Sequence, residues 1–294
     1  MALSIHTNYS SLITQTNLSK TNNALGTNQQ RLGTGLRTNS AADDAAGLQI
    51  ATRLSAQSRG MEVAIRNTND AVSMLQTAEG AFNEMTDILQ RMKDLATQGA
   101  NGTNADKDLK ALQAEYDQLG KEMANIMENT TYAGEKLFDK TGGTTGKFGS
   151  AVTFQIGATA SETLEVDIST AGSSGMKTLT DALSGMSTAY SGATGAGTEV
   201  NGAANATITL ADTALDAIGA LRSEFGATIN RLNHTANNLA NMKDNTDMAK
   251  GRITDADFAK ESALMSKNSM LLQSGISMLK QAGQMPGMVM SLLG

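Results

Sequence analysis

The sequence predicts a mainly α-helical protein: a long antiparallel helical bundle or coiled coil formed by the N- and C-terminal segments, with a small β-hairpin region in mid-chain. Three observations predict it. Apolar residues recur at alternating steps of three and four over long stretches, the spacing that keeps one helix face buried. Ala, Leu and Met supply that face, while aromatic residues are 3% of the chain and Trp is absent. The core is therefore expected to rest on Leu, Ile, Ala and Met rather than on large rings. Strict alternation of apolar and polar residues, the signature of a strand, marks a short stretch near residues 150–170.

At the N-terminal end Leu18, Leu25 and Leu32 are seven apart, with Ile5 and Leu12 as an earlier pair at that spacing. The next register reads Leu54, Met61, Thr68, Leu75, Phe82, Leu89 and Ala96, and its partner row Ala64, Ala71, Ala78, Met85 and Met92. A helix over these residues would be roughly 65 Å long at ~1.5 Å per residue. Asn39 or Ser40 is expected to cap it, with Ser40 and Asp43 as a capping box, and Gly99 to Thr103 to end it. Leu109, Leu112, Tyr116, Leu119, Met123 and Ile126 predict a second helix, capped by Asn104 or Asp106. Val152, Phe154 and Ile156, then Leu164, Val166 and Ile168, predict the hairpin, with its loop at Gly157–Thr163. Residues 169–207 are rich in Gly, Ser, Ala and Thr and read as exposed loop, apart from a weak helix over Met176, Leu179, Leu183, Met186 and Tyr190. A third long seam runs from Ala211 through Ile218, Leu221, Phe225, Leu232, Leu239 and Met242 to Ile253. Three such seams need mutual burial, which an antiparallel bundle provides.

The C-terminal end carries two rows at a spacing of seven: Leu264, Leu271, Met278 and Met285, and Phe258, Met265, Leu272 and Leu279. Both ends are nearly free of charge. Residues 1–42 and 262–294 contain no acid and five bases between them, which leaves residues 43–261 with a net charge of −11. A solvated helix face normally displays Lys and Glu. Faces of Asn, Gln, Ser, Thr and Gly beside an apolar stripe therefore predict that the two ends pack on each other and on further copies of the chain.

Several function classes find no support. There is no Cys, which excludes disulfides, thiol catalysis and zinc knuckles. His6 and His234, the two histidines, are far apart in sequence, and no His-Glu-x-x-His occurs. Gly142 to Lys147 lacks the first glycine of a phosphate loop, and Phe148 stands where Ser or Thr would hold magnesium. No cofactor is expected. No basic stripe suits nucleic acid, no segment approaches the ~20 apolar residues of a membrane span, and Met1–Lys20 lacks the pattern of a signal peptide.

The ends also carry motifs. Ser4-Ile5-His6-Thr7-Asn8, Ala24-Leu25-Gly26 and the run from Arg31-Leu32-Gly33 to Ala45-Ala46-Gly47 resemble the N-terminal signature of bacterial flagellins. So do Ala64-Ile65-Arg66-Asn67, Leu89-Gln90-Arg91-Met92, Phe154-Gln155-Ile156-Gly157, Arg252-Ile253-Thr254-Asp255 and Ser291-Leu292-Leu293. The resemblance covers about residues 1–170 and 207–294. It implies a short flagellin without the outer variable domains. Residues 1–40 and 255–294 would form an inner terminal coiled-coil domain, and 41–254 a helical rod. It further implies a structural, extracellular filament subunit exported unprocessed by the flagellar type III apparatus. Assembly would rest on Leu18, Leu25, Leu32, Leu264, Leu271, Leu272 and Leu279. The implied partners are other copies of the chain, the export chaperone, the filament cap and the hook–filament junction proteins. A host Toll-like receptor would read Arg91, Leu95 and Glu115, and an intracellular flagellin sensor would read Val289, Leu292 and Leu293. A hook–filament junction protein shares this architecture and is the nearest rival reading.

Overall fold

The computed structural model describes residues 8–140, 145–169, 175–192 and 197–293, the side chains of 285–293 excepted. In chain order the elements are α1 (Tyr9–Thr34), α2 (Ala45–Gly99), α3 (Asp106–Asn129), β1 (Thr131–Tyr132), β2 (Glu135–Lys136), a short 3-10 turn at Lys147–Gly149, β3 (Val152–Gln155), β4 (Thr163–Val166), α4 (Met176–Met186), α5 (Thr188–Ser191), α6 (Ala204–Thr254) and α7 (Phe258–Leu293). They fall into two compact units, Met1–Ser58 with Asp244–Gly294, and Arg59–Lys243.

In the Arg59–Lys243 unit, α2, α3 and α6 share one core. Met61, Ala64, Leu75, Phe82, Leu89, Met92 and Ala96 of α2 are buried, as the heptads predict. Thr68, the polar member of that row, is buried too, and its hydroxyl donates to the Ala64 carbonyl at 2.8 Å, so no donor is left unsatisfied. Contacts run antiparallel: Phe82 stacks on Phe225 with centroids 5.6 Å apart, Lys93 pairs with Asp212, and Arg91 with Glu115. The hairpin forms with Val152 opposite Val166 and Gln155 opposite Thr163. Leu164 and Val166 are buried.

The structure departs from the sequence expectation at four points. The Ser40–Asp43 pair is a turn before the helix, not its cap: Asp43 accepts from the N–H groups of Asn39 and Ser40 at 3.0 and 2.9 Å. Those bonds hold the exposed Asp43 carboxyl below its usual range. The first turn of α2 is capped by Asp44, which accepts from the Gly47 N–H at 2.8 Å. Large rings do matter: Phe82, Phe138, Phe148 and Phe225 form one cluster with centroid separations of 4.9–6.0 Å. Phe138 and Phe148 come from a connection with no helical period, which is why the periodicity missed them. Leu109, Leu112, Leu119 and Ile126 of α3 are only half-buried, while Gln113, Gly120 and Met127 are buried. Finally, residues 176–190 and 197–200 are packed rather than exposed loop, with Met176, Leu179, Leu183, Met186 and Tyr190 all buried.

The last two findings have one cause. Met186, Ser187, Glu199 and Val200 cover the face of α3 that reads as solvent-facing. The Tyr116 hydroxyl donates to the Met186 carbonyl at 2.7 Å. Gly120 lies against Ser187, where a larger side chain would collide. Glu199 accepts from Gln113 Nε2 at 2.8 Å and from the Thr188 N–H and hydroxyl at 2.7 Å each. Its backbone carbonyl takes the Thr207 hydroxyl at 3.0 Å, and Gln113 Oε1 accepts from the Val200 N–H at 2.9 Å. One residue thus ties three elements: the Glu199 carboxylate joins α3 to α5, and its backbone carbonyl holds the start of α6. Burial alone would push Glu199 up, but the donors from Thr188 and Gln113 outweigh it and hold the group below its ordinary range.

Glu199→Gln is expected to cost ~1–3 kcal/mol at neutral pH, since a buried set of donors loses its charged acceptor. Because the folded value is depressed, the contribution is full above the unfolded glutamate value and disappears as pH falls through the folded one. Urea unfolding from pH 7 down to acid should show this slope in the natural chain and a shallower one in the variant.

Candidate functional site

The Met1–Ser58 and Asp244–Gly294 unit is built differently. Its two long terminal helices pair, and little covers them on their other sides. Asn8 caps α1 by accepting from the Ser11 N–H at 3.0 Å. Along α1 the hydroxyls of Thr14, Thr16, Thr21, Thr27 and Thr34 each donate to the carbonyl four residues back. A helix surface can thus be polar in sequence without demanding charged partners. Gly35, at φ 71°, ends α1 with its N–H on the Arg31 carbonyl. Asp257 caps α7, accepting from the N–H groups of Ala259 and Lys260 at 3.0 and 3.1 Å. The α1–α2 and α6–α7 junctions are tied to each other. Arg37 N–H donates to the Thr254 carbonyl at 2.7 Å, Ala256 N–H to the Gly35 carbonyl at 2.9 Å, and the Arg37 guanidinium to the Ile253 carbonyl at 2.8 Å. The α7 helix continues through Pro286 to Leu293. Proline removes one ladder bond, which a long helix can tolerate. No helix among the described residues is long and apolar enough to cross a membrane.

The seam between α1 and α7 is antiparallel and follows the heptads. Asn8 Nδ2 donates to the Ala282 carbonyl at 2.7 Å, and a Cβ on Gly275 would lie 2.8 Å from Leu18 Cδ1. On α1 the seam passes through Leu18, Leu25, Asn28 and Leu32. On α7 it passes through Glu261, Met265, Asn268, Leu272, Gly275, Leu279 and Ala282. Its centre is polar. Asn28 Nδ2 donates to Glu261 Oε2 at 2.5 Å, Arg31 Nη1 lies 3.3 Å from Glu261 Oε1, and Asn268 Nδ2 donates to Asn28 Oδ1 at 2.9 Å. Asn28 and Glu261 are only 5% and 6% exposed. Arg31 Nε is buried with no hydrogen-bond partner. Sequence reading missed this layer, because Asn28 and Asn268 look like members of a neutral outer face. The signal available was the acid of Glu261 standing immediately before an acid-free tail.

The two C-terminal rows have different roles. Met265, Leu272 and Leu279 share the register of the α1 contacts and are half-buried. Leu271 and Met278 of the other row are 49% and 59% exposed, with Leu264 half-buried beside them. Phe258 heads the seam row in sequence but is exposed, as are Leu12, Ile13, Met270 and Ile276. Of the residues expected to drive assembly, Leu18, Leu25, Leu32, Leu264, Leu272 and Leu279 are half-buried and Leu271 is exposed. The structure does not group all seven in one place: part of the set holds the pair together, and part faces outward.

Arg91 and Glu115 meet on the exposed surface of α2 and α3, with Arg91 Nε and Nη2 both donating to Glu115 Oε1 at 2.9 and 2.7 Å. Leu95 is 1% exposed and belongs to the core beneath them. The side chains of Val289, Leu292 and Leu293 lie outside the described residues, as do His6 and Gly142 to Thr144. His234 is exposed on α6, and the Phe148 ring fills the core next to Lys147. No group of three or more His, Cys, Asp or Glu that could hold a metal occurs among the described residues.

Comparison with known proteins gives consistent results. Residues 5–142 match the family model of the bacterial flagellin N-terminal helical region, and residues 208–293 that of the bacterial flagellin C-terminal helical region. Flagellin A of Vibrio anguillarum is 36% identical, and polar flagellin C of Vibrio parahaemolyticus 33%, each over the whole of both chains. Those alignments span 385 and 391 positions, more than the 294 residues of this chain, so the relatives carry stretches with no counterpart here. Among solved structures, a putative flagellar hook-associated protein from Vibrio parahaemolyticus superposes with a TM-score of 0.54 at 16% identity, covering 72% of this chain and all of that one. This is a likeness of fold.

The burial difference at the Arg91 face gives a clean test. Leu95→Ala should cost ~2–5 kcal/mol of stability through cavity formation. Arg91→Ala and Glu115→Ala should each cost under ~1 kcal/mol, because both side chains are about half-exposed and the pair is screened. Urea or thermal unfolding of the three variants separates the two classes.

Proposed function

Since this chain belongs to the bacterial flagellin family and is a structural subunit of the flagellar filament, not an enzyme, we propose that it polymerises through the α1–α7 pair, with the row Leu264, Leu271 and Met278 as the face that neighbouring copies cover. The observation that carries this reading is the imbalance between the units. Among the described residues, the Met1–Ser58 and Asp244–Gly294 unit has few buried apolar side chains, such as Ala51 and Ala282. It leaves Tyr9, Leu12, Ile13, Phe258, Met270, Leu271, Ile276 and Met278 exposed. The other unit encloses its apolar rows in a large core and a smaller cluster of Met61, Ala64 and Leu239. Apolar surface left in water costs ~25 cal/mol per Å², and sister subunits are the cover that a filament provides. Nearly uncharged flanks remove the desolvation penalty that would oppose such burial.

In this reading residues 1–40 with 255–294 form the inner domain of the filament, and residues 41–254 the rod around it. The subunit is exported uncleaved through the filament and is extracellular once assembled. The export chaperone takes the apolar stripe of α7 as an amphipathic helix in a groove, and the filament cap and hook–filament junction meet the same terminal surfaces. Host recognition by a Toll-like receptor would use the exposed Arg91 and Glu115, with Leu95 holding their helix in place from beneath. The intracellular sensor would take the Val289, Leu292 and Leu293 end.

Cosedimentation with filament seeds tests the assembly mechanism. The intact chain is expected to enter the pellet. A chain lacking residues 264–294, and the double variant Leu271→Asp with Met278→Asp, should stay in the supernatant while their rods unfold at unchanged urea concentration. Undiminished pelleting of the truncated chain rejects the mechanism.

A further inference from the structure

Heptad spacing leaves the α1–α7 pair with an ambiguity of register. Leu18, Leu25 and Leu32 on one helix, and Met265, Leu272 and Leu279 on the other, both repeat every seven residues. Sliding one helix by a heptad, roughly 10.5 Å at ~1.5 Å per residue, again sets these rows against each other. The apolar rows by themselves accept both alignments, whereas the Leu18–Gly275 approach and the junction bonds of Gly35 and Arg37 belong to the observed one. The polar layer does not repeat. In the observed register Glu261 meets Asn28 and Arg31, and Asn268 meets Asn28. Seven residues from Asn28 stand Thr21 and Gly35, and seven from Arg31 stand Ala24 and Thr38. After the slide that sets it against Thr21 and Ala24, Glu261 would be a buried carboxylate without the amide or the guanidinium, a state that costs far more than a lost apolar contact.

We infer that the Asn28–Glu261–Asn268 layer, with Arg31 at its edge, is the register lock of the terminal helix pair, and so decides which faces of α1 and α7 neighbouring subunits meet. The inference rests on the terminal pair being the assembling part of the chain and adds what fixes its alignment. A slip of one heptad would carry the exposed Leu271 and Met278 the same distance along α1. The outward surface would then be one that sister copies, still in register, could not match. Leu and Met rows supply the attraction between the helices, and the buried polar layer supplies the choice among equivalent alignments.

The chain contains no Cys, so introduced pairs read register directly. Leu18→Cys with Gly275→Cys reports the observed alignment, because these two positions touch. Ser11→Cys with Gly275→Cys reports the alignment slid by seven. Each pair is placed in the natural background and in the permuted background Thr21→Asn, Ala24→Arg, Asn28→Thr, Arg31→Ala, which moves the partners of Glu261 by one heptad. Oxidative cross-linking is read in seed-grown polymer and in the unassembled full chain. The natural background is expected to give the 18–275 product and not the 11–275 product, and the permuted background the reverse. A permuted chain that still gives mainly 18–275 overturns the inference, since apolar packing or the junction bonds of Gly35 and Arg37 would then set the register. A permuted chain that gives neither product in either state, where the natural background cross-links, also overturns it, because the layer would then create the pair rather than choose its alignment. Polymerisation that survives loss of residues 264–294 would instead count against the terminal assembly mechanism, and the cross-link pattern of the unassembled chain would still report the lock.

Discussion

An amphipathic helix needs something to lie against its apolar stripe, and this chain carries more stripe than it can cover by itself. The rest of the structure follows from how that constraint is met at each level. Where three helices are brought side by side, α2, α3 and α6 close on each other, and the mid-chain connections add the rings of Phe138 and Phe148 to fill the centre. Where only two helices pair, as in α1 and α7, one side of each is satisfied and the other is left in water. Placing the charge in residues 43–261 and sparing the ends matches this division. The self-contained unit presents a solvated surface, and the terminal pair presents one that can be buried again.

Buried polar groups do the specifying in both units. In the Arg59–Lys243 unit, Glu199 and Gln113 hold Thr188 and Val200 onto a face of α3 that hydrophobic contact alone would leave poorly defined. In the terminal pair, Asn28, Glu261 and Asn268 interrupt apolar rows that repeat every seven residues. Each cluster has its charge matched by donors, so the low dielectric around it strengthens the arrangement instead of opposing it. A single-residue sequence scan sees these side chains as surface, because a buried Asn or Glu and a solvated one are spelled alike.

Identity with the Vibrio flagellins over the full length of both chains places the subunit in a filament. It also shows what this chain does without, since the relatives need about 390 aligned positions to match it. The segment 143–207, which neither family model covers, contributes through its described residues to the core of the Arg59–Lys243 unit. It supplies a hairpin, two short helices and the Glu199 tie, and so completes the core with few residues.

The sequence by itself determined the helical class, the three long seams, the hairpin and the family. Period and spacing are local properties, and Met61 to Ala96 or Val152 to Val166 carry them without reference to anything distant. It also marked the ends as surfaces for further contact, through missing charge. Tertiary structure decided the rest. It chose which of two equivalent C-terminal rows faces α1 and which stays outside. It buried Leu95 while exposing Arg91 and Glu115, and it recruited Phe138, Phe148 and Glu199 from segments with no period at all. These choices depend on pairs of residues more than 50 or even 200 positions apart, such as Tyr116 with Met186 or Asn28 with Glu261. Such pairs leave no trace in local spacing, because only the folded chain brings their two members together.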